Sequence, residues 1–258
     1  MSRQPLGQHF LVRGATLERI AAAACREREP LVIEIGPGRG ALTERLVTRA
    51  ERLIAIEIDA ELVGRLREKF RASTHVTIVH ADARETDLNR WGPAAIAGNL
   101  PYYAATPIIE RALGTGFLQA VFLIQKEVAA RLSAKPGSRD YGYLTVRTQL
   151  FADVERLFDV PPSAFHPPPK VHSTVIRLRP RNRAAELGIE DVKRFLVFTG
   201  QCFRQKRKTL RNNLAGVCVK SVLDRLPEAG KRAEELTLLQ FADLFRVLYH
   251  RDPGVQNA

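Results

Sequence analysis

The sequence of 258 residues contains few cysteines and no long hydrophobic run. Its apolar segments fall short of the roughly 20 residues that a membrane-spanning helix needs, and its N-terminus lacks the apolar region of a signal peptide. The cysteines, Cys25, Cys202 and Cys218, lack the spacing of metal ligands, and their odd number argues against a disulfide framework. We therefore expect reduced thiols in a cytoplasmic protein that does not enter a membrane.

Histidine clusters and acidic residues are also scarce. The six histidines include no H-x-x-x-H pair or other ligand cluster, so we expect no metal. There are 28 Asp and Glu against 40 Lys and Arg, which gives a net charge of +12. This excess favours a polyanionic partner, although a GC-rich coding sequence would account for part of the arginine.

The positive charge is concentrated toward the C-terminus, because residues 181–258 and residues 1–180 each carry a net charge of +6. The strongest run holds five cations in eight residues: Arg204, Lys206, Arg207, Lys208 and Arg211. A solvated helix face is the usual explanation for such a run, but no acidic residue lies three or four positions away to pair with these cations. The run therefore predicts contact with an RNA phosphate backbone.

Short apolar runs alternate with helical stretches over residues 1–180, which is typical of βαβ units in a parallel sheet. The predicted strands lie at 31–33, 54–57, 76–82, 94–98 and 121–124, followed by an antiparallel edge near 156–158 and 174–178. After a linker at 180–183, apolar residues recur at helical spacing over 192–203 and 236–248. We predict an α/β sheet domain over 1–180 and a small helical domain over 181–258.

The stretch Glu34–Gly40, EIGPGRG, follows the first predicted strand. Glycines at 36 and 38 let the backbone approach a ligand closely. Glu57 ends the next strand, 21 positions after Gly36, where its carboxylate can accept from both hydroxyls of a ribose. A turn with a purely structural role would not explain that carboxylate, so we predict an adenosine-bearing cofactor.

The spacing of the turn favours S-adenosylmethionine over a nicotinamide dinucleotide. Nicotinamide enzymes usually have G-x-G-x-x-G, whereas this chain has G-x-G-x-G with Glu34 two residues before the first glycine. That carboxylate suits the sulfonium and ammonium groups of S-adenosylmethionine, which carries no phosphate. Asp82, after the third strand, could accept from the adenine amino group or cap the next helix, and the sequence leaves both interpretations open.

Asn99-Leu100-Pro101-Tyr102 follows the fourth predicted strand. The amino group of adenine is a poor nucleophile, because its lone pair is delocalised into the ring. The Asn99 side-chain carbonyl and the Leu100 backbone carbonyl would hold its two N–H bonds, and Tyr102 would stack on the base, worth roughly 1–3 kcal/mol. An ordinary Asn-x-Pro turn is the alternative, but the place at a strand end of this fold favours catalysis.

Taken together with Gly7–Leu11, Gln125–Val128 and the loop Phe165–Ser173, these motifs resemble the ribosomal RNA adenine dimethyltransferases. The resemblance covers nearly the whole chain. It implies a Rossmann-like, class I S-adenosylmethionine-dependent methyltransferase sheet with a small basic C-terminal helical domain that binds rRNA. It also implies transfer of four methyl groups to the N6 atoms of two adjacent adenosines near the 3′ end of small-subunit rRNA within a partly assembled 30S particle. The sequence leaves the oligomeric state open, and a monomer is the default expectation.

The resemblance also assigns individual residues. The implied cofactor contacts are His9, Leu11, Gly36, Glu57, Asp82 and Asn99, in addition to Glu34 and Gly38 from the glycine turn. Phe165 would help to close the pocket over the target base. The family usually has Asn where this chain has His9, and an imidazole can also hydrogen-bond to a carboxylate.

Three alternative functions were weighed against this prediction. A large-subunit rRNA methyltransferase that confers resistance is disfavoured by Leu100 and by the helical C-terminal region. A DNA adenine methyltransferase would need a separate target-recognition domain, for which the sequence shows no candidate. An assembly factor with methylation as a secondary role is compatible with the fold, but the presence of Glu34, Glu57 and Asn99 argues that catalysis is retained.

Overall fold

The computed structural model of the protein describes residues 9–249. Within this range the chain forms two compact units, the first made of residues 9–129 and 153–180, the second of residues 130–152 and 181–249. The chain passes from the first unit to the second after residue 180, close to the boundary predicted from the sequence. Residues 130–152, however, group with the C-terminal helices, because Tyr141, Val146 and Leu150 pack into the core of the second unit.

The first unit contains a seven-stranded sheet and a small two-stranded sheet. The nine strands are β1 (Phe10–Leu11), β2 (Glu29–Ile35), β3 (Ala50–Glu57), β4 (Val76–His80), β5 (Ala95–Asn99), β6 (Gln119–Gln125), β7 (Ala152–Val160), β8 (Phe165–His166) and β9 (Ser173–Pro180). The order in the large sheet is β4-β3-β2-β5-β6-β9-β7. The predicted strands are therefore confirmed.

Strand direction in the large sheet follows the predicted pattern. β4, β3, β2, β5 and β6 run parallel to their neighbours, whereas β9 is antiparallel to β6. From β2 the chain moves outward through β3 to β4, and then returns to place β5 on the other side of β2. The order reverses there, which opens a crevice at the carboxyl ends of β2 and β5 where such folds bind ligands.

Helices cover the sheet and form most of the second unit. The helices are α1 (Gly14–Ala24), α2 (Thr43–Leu46), α3 (Ala60–Lys69), α4 (Ala105–Leu113), α5 (Lys126–Leu132), α6 (Tyr143–Phe151), α7 (Arg183–Glu186), α8 (Val192–Cys202), α9 (Leu210–Leu214), α10 (Lys220–Leu223) and α11 (Leu238–Tyr249). α8 and α11 are the two helices predicted from apolar spacing. Within residues 9–249, no helix is long and apolar enough to cross a membrane.

Each unit has its own hydrophobic core. In the first, strand residues such as Val32, Leu53 and Ala97 are fully buried and pack with α1 residues including Ile20. In the second, aromatic rings of α8 and α11 meet, with the Phe195 and Phe245 ring centroids 5.4 Å apart in an edge-to-face arrangement. The sheet thus supplies a rigid support for the strand ends, where the candidate site lies.

Candidate active site

A cavity of about 340 Å³ lies in the first unit, at the carboxyl ends of β2, β3, β4 and β5. Most of the side chains predicted to bind cofactor or target base line it. These are His9, Leu11, Glu34, Gly36, Gly38, Glu57, Asp82, Asn99, Leu100 and Tyr102. The parallel sheet brings most of them together because they lie near or just after the carboxyl ends of four neighbouring strands, while His9 and Leu11 lie just before and on the short strand β1.

The glycine turn after β2 has the backbone that close ligand approach needs. Gly36 and Gly38 have φ angles of +70° and +57°, a region that side chains with a Cβ rarely adopt. A Cβ at Gly38 would also lie 3.1 Å from the Phe10 ring. The turn is therefore confined to glycine by conformation and by the strand β1 packed against it.

Glu57 ties this turn to the end of β3. One carboxylate oxygen accepts from the Gly38 N–H at 3.0 Å, and the other accepts from the N–H groups of Ile58 and Asp59 at 2.9 and 3.0 Å. The side chain is 4% exposed. Glu57 therefore shapes the cavity as well as offering its remaining lone pairs to it.

Glu34 lies in the central strand β2, opposite Ala55 of β3 and Ala97 of β5. It is 1% exposed, lines the cavity, and has one carboxylate oxygen without a hydrogen-bond partner. Burial raises the pKa of Glu34 to about 8; the charge of Glu57 adds to this, while the Thr43 hydroxyl opposes it. An unsatisfied carboxylate here fits a ligand that carries positive charge.

The raised pKa of Glu34 predicts a pH-dependent stability. The folded protein binds this proton more tightly than the unfolded chain, so the free energy of unfolding should fall between about pH 4.5 and pH 8. Glu34→Gln should remove that decline, leaving the variant more stable than wild type by a few kcal/mol at pH 8 and similar near pH 4.5. Urea titrations of both proteins at the two pH values test this; parallel pH profiles would contradict it.

Asn99 ends β5, and its side-chain amide is oriented by β1. The amide nitrogen donates to the His9 backbone carbonyl at 3.2 Å, which leaves the amide oxygen as the available acceptor. The next residue is also held, since the Leu100 N–H donates to the Leu123 carbonyl of β6 at 3.1 Å. Both proposed acceptors for an amino group thus belong to a fixed backbone segment.

The Tyr102 ring is held by contacts on two sides. Its hydroxyl shares a hydrogen bond with the Ser173 hydroxyl at 2.9 Å, and its ring centroid lies 5.7 Å from that of His9. Burial raises the pKa of Tyr102 above its ordinary value, so the phenol stays neutral. His9 is itself fixed, since its Nδ1 donates to the Pro167 carbonyl at 2.8 Å.

Phe165 lies in the core of the first unit. It is 4% exposed and pairs with Leu11 between β8 and β1, and it packs into the core instead of lining the cavity. The proline-rich loop supports the site indirectly, because β8 pairs with β1 and the Pro167 carbonyl binds His9, the residue before β1. Closure of the pocket over a base by Phe165 stays a prediction.

Asp82 does not cap a helix, since a turn follows it, and the next 3₁₀ helix, Leu88–Trp91, is capped by Asp87. That correction leaves the cavity-facing interpretation of Asp82. Its carboxylate is paired with Arg84, which lowers the pKa of Asp82. Arg84, Arg39 and Tyr103 also line the cavity, and no motif in the sequence marked them.

The basic run of the second unit occupies the turn between α8 and α9 and the start of α9, not an exposed helix face. Buried Asn213, missed in the sequence analysis, shapes it: its amide donates to the Cys202 carbonyl at 2.8 Å, and its oxygen accepts from the Gln205 N–H at 3.0 Å. Lys206 donates to the Arg139 carbonyl, and Arg211 pairs with Asp224 at 3.2 Å. The other three predicted contacts, at positions 204, 207 and 208, are exposed.

No group of three or more His, Cys, Asp or Glu side chains within the described residues could hold a metal ion. The cavity is lined by carboxylates, an amide, glycine backbone, an imidazole, aromatic rings and the guanidinium groups of Arg39 and Arg84. This set fits a polar organic ligand with a positive end, and it places two carbonyl acceptors beside an aromatic ring.

Comparison with known proteins identifies the arrangement. The profile of the ribosomal RNA adenine dimethylases matches residues 1–249. The ribosomal RNA small subunit methyltransferase A of Acidobacterium capsulatum is 45% identical over 258 residues, covering 95% of this chain and 91% of that protein.

Two solved structures share the fold across most of the chain. A dimethyladenosine transferase from Plasmodium falciparum superposes with a TM-score of 0.78 at 26% identity, covering 92% of this chain and 96% of that one. The 23S rRNA methyltransferase ErmE gives 0.71 at 28% identity, covering 93% and 99%. The sheet is thus the expected Rossmann-like fold of class I S-adenosylmethionine-dependent methyltransferases.

Proposed function

Because the chain belongs to the ribosomal RNA adenine dimethylase family, we propose that it converts two adjacent adenosines near the 3′ end of small-subunit rRNA to N6,N6-dimethyladenosine. The observation that carries this proposal is the single cavity that Asn99 and Tyr102 share with Glu34 and Glu57. One half of it suits a target base, and the other half suits an adenosine-bearing methyl donor.

The cofactor we propose is S-adenosylmethionine, which would supply the methyl group. Glu34 would neutralise its positive end by losing its own proton on binding, because a positive charge beside a buried carboxyl favours the ionised form. Glu57 would accept from the ribose hydroxyls and Asp82 from the adenine amino group. His9, Leu11, Gly36 and Gly38 would complete the walls.

For the target adenine, we propose that two acceptors and one ring do the positioning. The Asn99 side-chain oxygen and the Leu100 carbonyl would accept from the two N–H bonds of the amino group, drawing the nitrogen toward tetrahedral geometry. Tyr102 would stack on the base that has been flipped out of its helix. No ionised base is required, because the nitrogen loses its proton after the methyl group has been transferred.

The small-subunit substrate is supported by the relative at 45% identity, whose name specifies that subunit. The likeness to ErmE keeps a large-subunit target as the second candidate, at lower identity. We further propose that the substrate is a partly assembled particle in the cytoplasm, bound by a monomer, and that a contribution to subunit assembly accompanies catalysis.

The test of this function is methyl transfer from labelled S-adenosylmethionine to small subunits that lack the modification, followed by nucleoside mass spectrometry. Dimethyladenosine at two neighbouring positions near the rRNA 3′ end is the expected result. Incorporation only into large-subunit rRNA would favour the second candidate. Tight binding to the particle without methyl incorporation would indicate that the protein acts as an assembly factor.

The second unit is proposed to bind rRNA through its basic turn. Replacing Arg204, Arg207 and Lys208 with Gln should weaken binding to all RNA sequences and reduce the slope of log affinity against log salt by about 2–3, since each lost phosphate contact removes about one released counterion. Filter binding at several salt concentrations measures both quantities. Lys206 and Arg211 are left unchanged because both have protein partners.

The matched control replaces three exposed arginines of the first unit, Arg26, Arg28 and Arg52, with Gln. It removes the same net charge from the protein at positions outside the cavity. If both triple variants reduce the slope of log affinity against log salt by the same amount, net charge accounts for the effect and the basic turn is not the RNA contact.

A further inference from the structure

In the turn after β4, Arg84 makes several hydrogen bonds to the Asp82 carboxylate, and Arg84 has no role in the chemistry proposed above. The Arg84 Nε lies 3.0 Å from each oxygen of Asp82, and Nη2 lies 2.5 Å from Oδ2. The Arg84 backbone N–H also donates to Oδ1 at 2.9 Å. The two residues are separated by one alanine, so the whole arrangement is local, and it determines where the Asp82 carboxylate points.

The turn is also held by α4. The Arg111 Nε of α4 donates to the Arg84 carbonyl at 3.1 Å. α4 starts three residues after Tyr102, and its residue Ile108 lines the cavity. Arg84 is therefore restrained through its side chain, its N–H and its carbonyl, which is more than a surface ion pair between two flexible side chains would provide.

We propose that Arg84 is a positioning residue that locks the Asp82 carboxylate so that it selects a purine bearing an amino group at this end of the cavity. A carboxylate has about four acceptor positions, and three Arg84 hydrogens, those on Nε, Nη2 and the backbone nitrogen, occupy three of them, the Nε hydrogen being shared between both oxygens. About one acceptor position remains on this side chain, which lines the cavity. This inference rests on the proposed cofactor, because the selected purine is its adenine.

The proposed role requires an ionised Asp82 carboxylate. Hydrogen bonding to Arg84 lowers the pKa of Asp82, so the carboxylate is an acceptor only. Such a group pairs with the N6 amino group of adenine and repels the O6 atom of hypoxanthine, which is also an acceptor. Lysine at position 84 would keep the charge but lose the bidentate fork.

The experiment is calorimetric binding of S-adenosylhomocysteine and of S-inosylhomocysteine to wild type, Arg84→Ala and Arg84→Lys. Wild type is expected to prefer the adenine compound by at least about tenfold, the worth of one hydrogen bond to a charged acceptor. Arg84→Ala should lose most of this preference while binding the inosine compound within about twofold of wild type, and Arg84→Lys should be intermediate. Arg39→Ala is the matched control, since Arg39 lines the same cavity but stacks on Phe10, and it should keep the preference.

The outcomes separate this inference from the proposed function. The positioning role would be overturned if Arg84→Ala kept the wild-type preference for the adenine compound, or if it weakened the binding of both compounds equally. Either result would leave the cofactor proposal in place. A wild-type protein that binds both compounds equally would overturn the role of Asp82 and with it that of Arg84. Failure of wild type to bind either compound would overturn the proposed cofactor itself.

Discussion

Asn99→Ala is expected to lower methyl transfer to small-subunit rRNA by about 10²–10³-fold or more, the loss typical of removing one preorganised polar group from a reacting centre. The Asn99 oxygen is the side-chain half of the proposed acceptor pair. Single-turnover transfer with saturating S-adenosylmethionine and rRNA particles measures the effect.

Binding of S-adenosylhomocysteine separates a catalytic role of Asn99 from a structural one. The Asn99 amide also donates to the His9 carbonyl, so the alanine variant releases one contact of β1. We expect the affinity to change by less than about fivefold, the effect of one exposed or weak hydrogen bond. If affinity falls in parallel with transfer, Asn99 acts mainly by holding β1 in place. Asn89→Ala, at an exposed position away from the cavity, is the matched control.

Glu57→Ala is expected to weaken cofactor binding by about 1–3 kcal/mol from the lost ribose contacts alone, which is about 5- to 150-fold. The structure adds a second cost. Three backbone N–H groups, those of Gly38, Ile58 and Asp59, lose their acceptor, so the free energy of unfolding should also fall by about 1–3 kcal/mol. Calorimetric titration and urea denaturation measure the two effects independently.

The matched control is Glu51→Ala, an exposed glutamate near the start of the same strand. It should change neither affinity nor stability by more than about 0.5 kcal/mol, as is usual for surface substitutions. Glu57→Ala with unaltered stability would show that the glycine turn does not depend on this carboxylate. Unaltered affinity would remove Glu57 from the proposed cofactor site.

Most of the site was predictable because it lies on one periodic framework. Parallel strands that alternate with helices must present their carboxyl ends at one edge, so Glu34, Glu57, Asp82 and Asn99 had to approach one another. Spacing along the chain carried that information. Their individual roles stay predictions until the variants are measured.

Other contacts had no local signature. The antiparallel pairing of β8 with β1 places Phe165 in the core. His9 and Asn99 are 90 residues apart, and their contact depends on how β1 crosses the end of the sheet. Residues 130–152 looked like part of the sheet domain, yet their apolar side chains belong to the second core.

The sequence by itself determined the strands of a parallel sheet, the glycine turn, the strand-end carboxylates and the Asn99–Tyr102 segment, because each depends on residue type and spacing within a few dozen positions. Only the tertiary structure decided the contacts that individual site residues make. The unsatisfied oxygen of Glu34, the three backbone partners of Glu57 and the anchoring of Arg84 by Arg111 depend on burial and on distances between segments far apart in the chain. Those properties become defined only when the chain has packed.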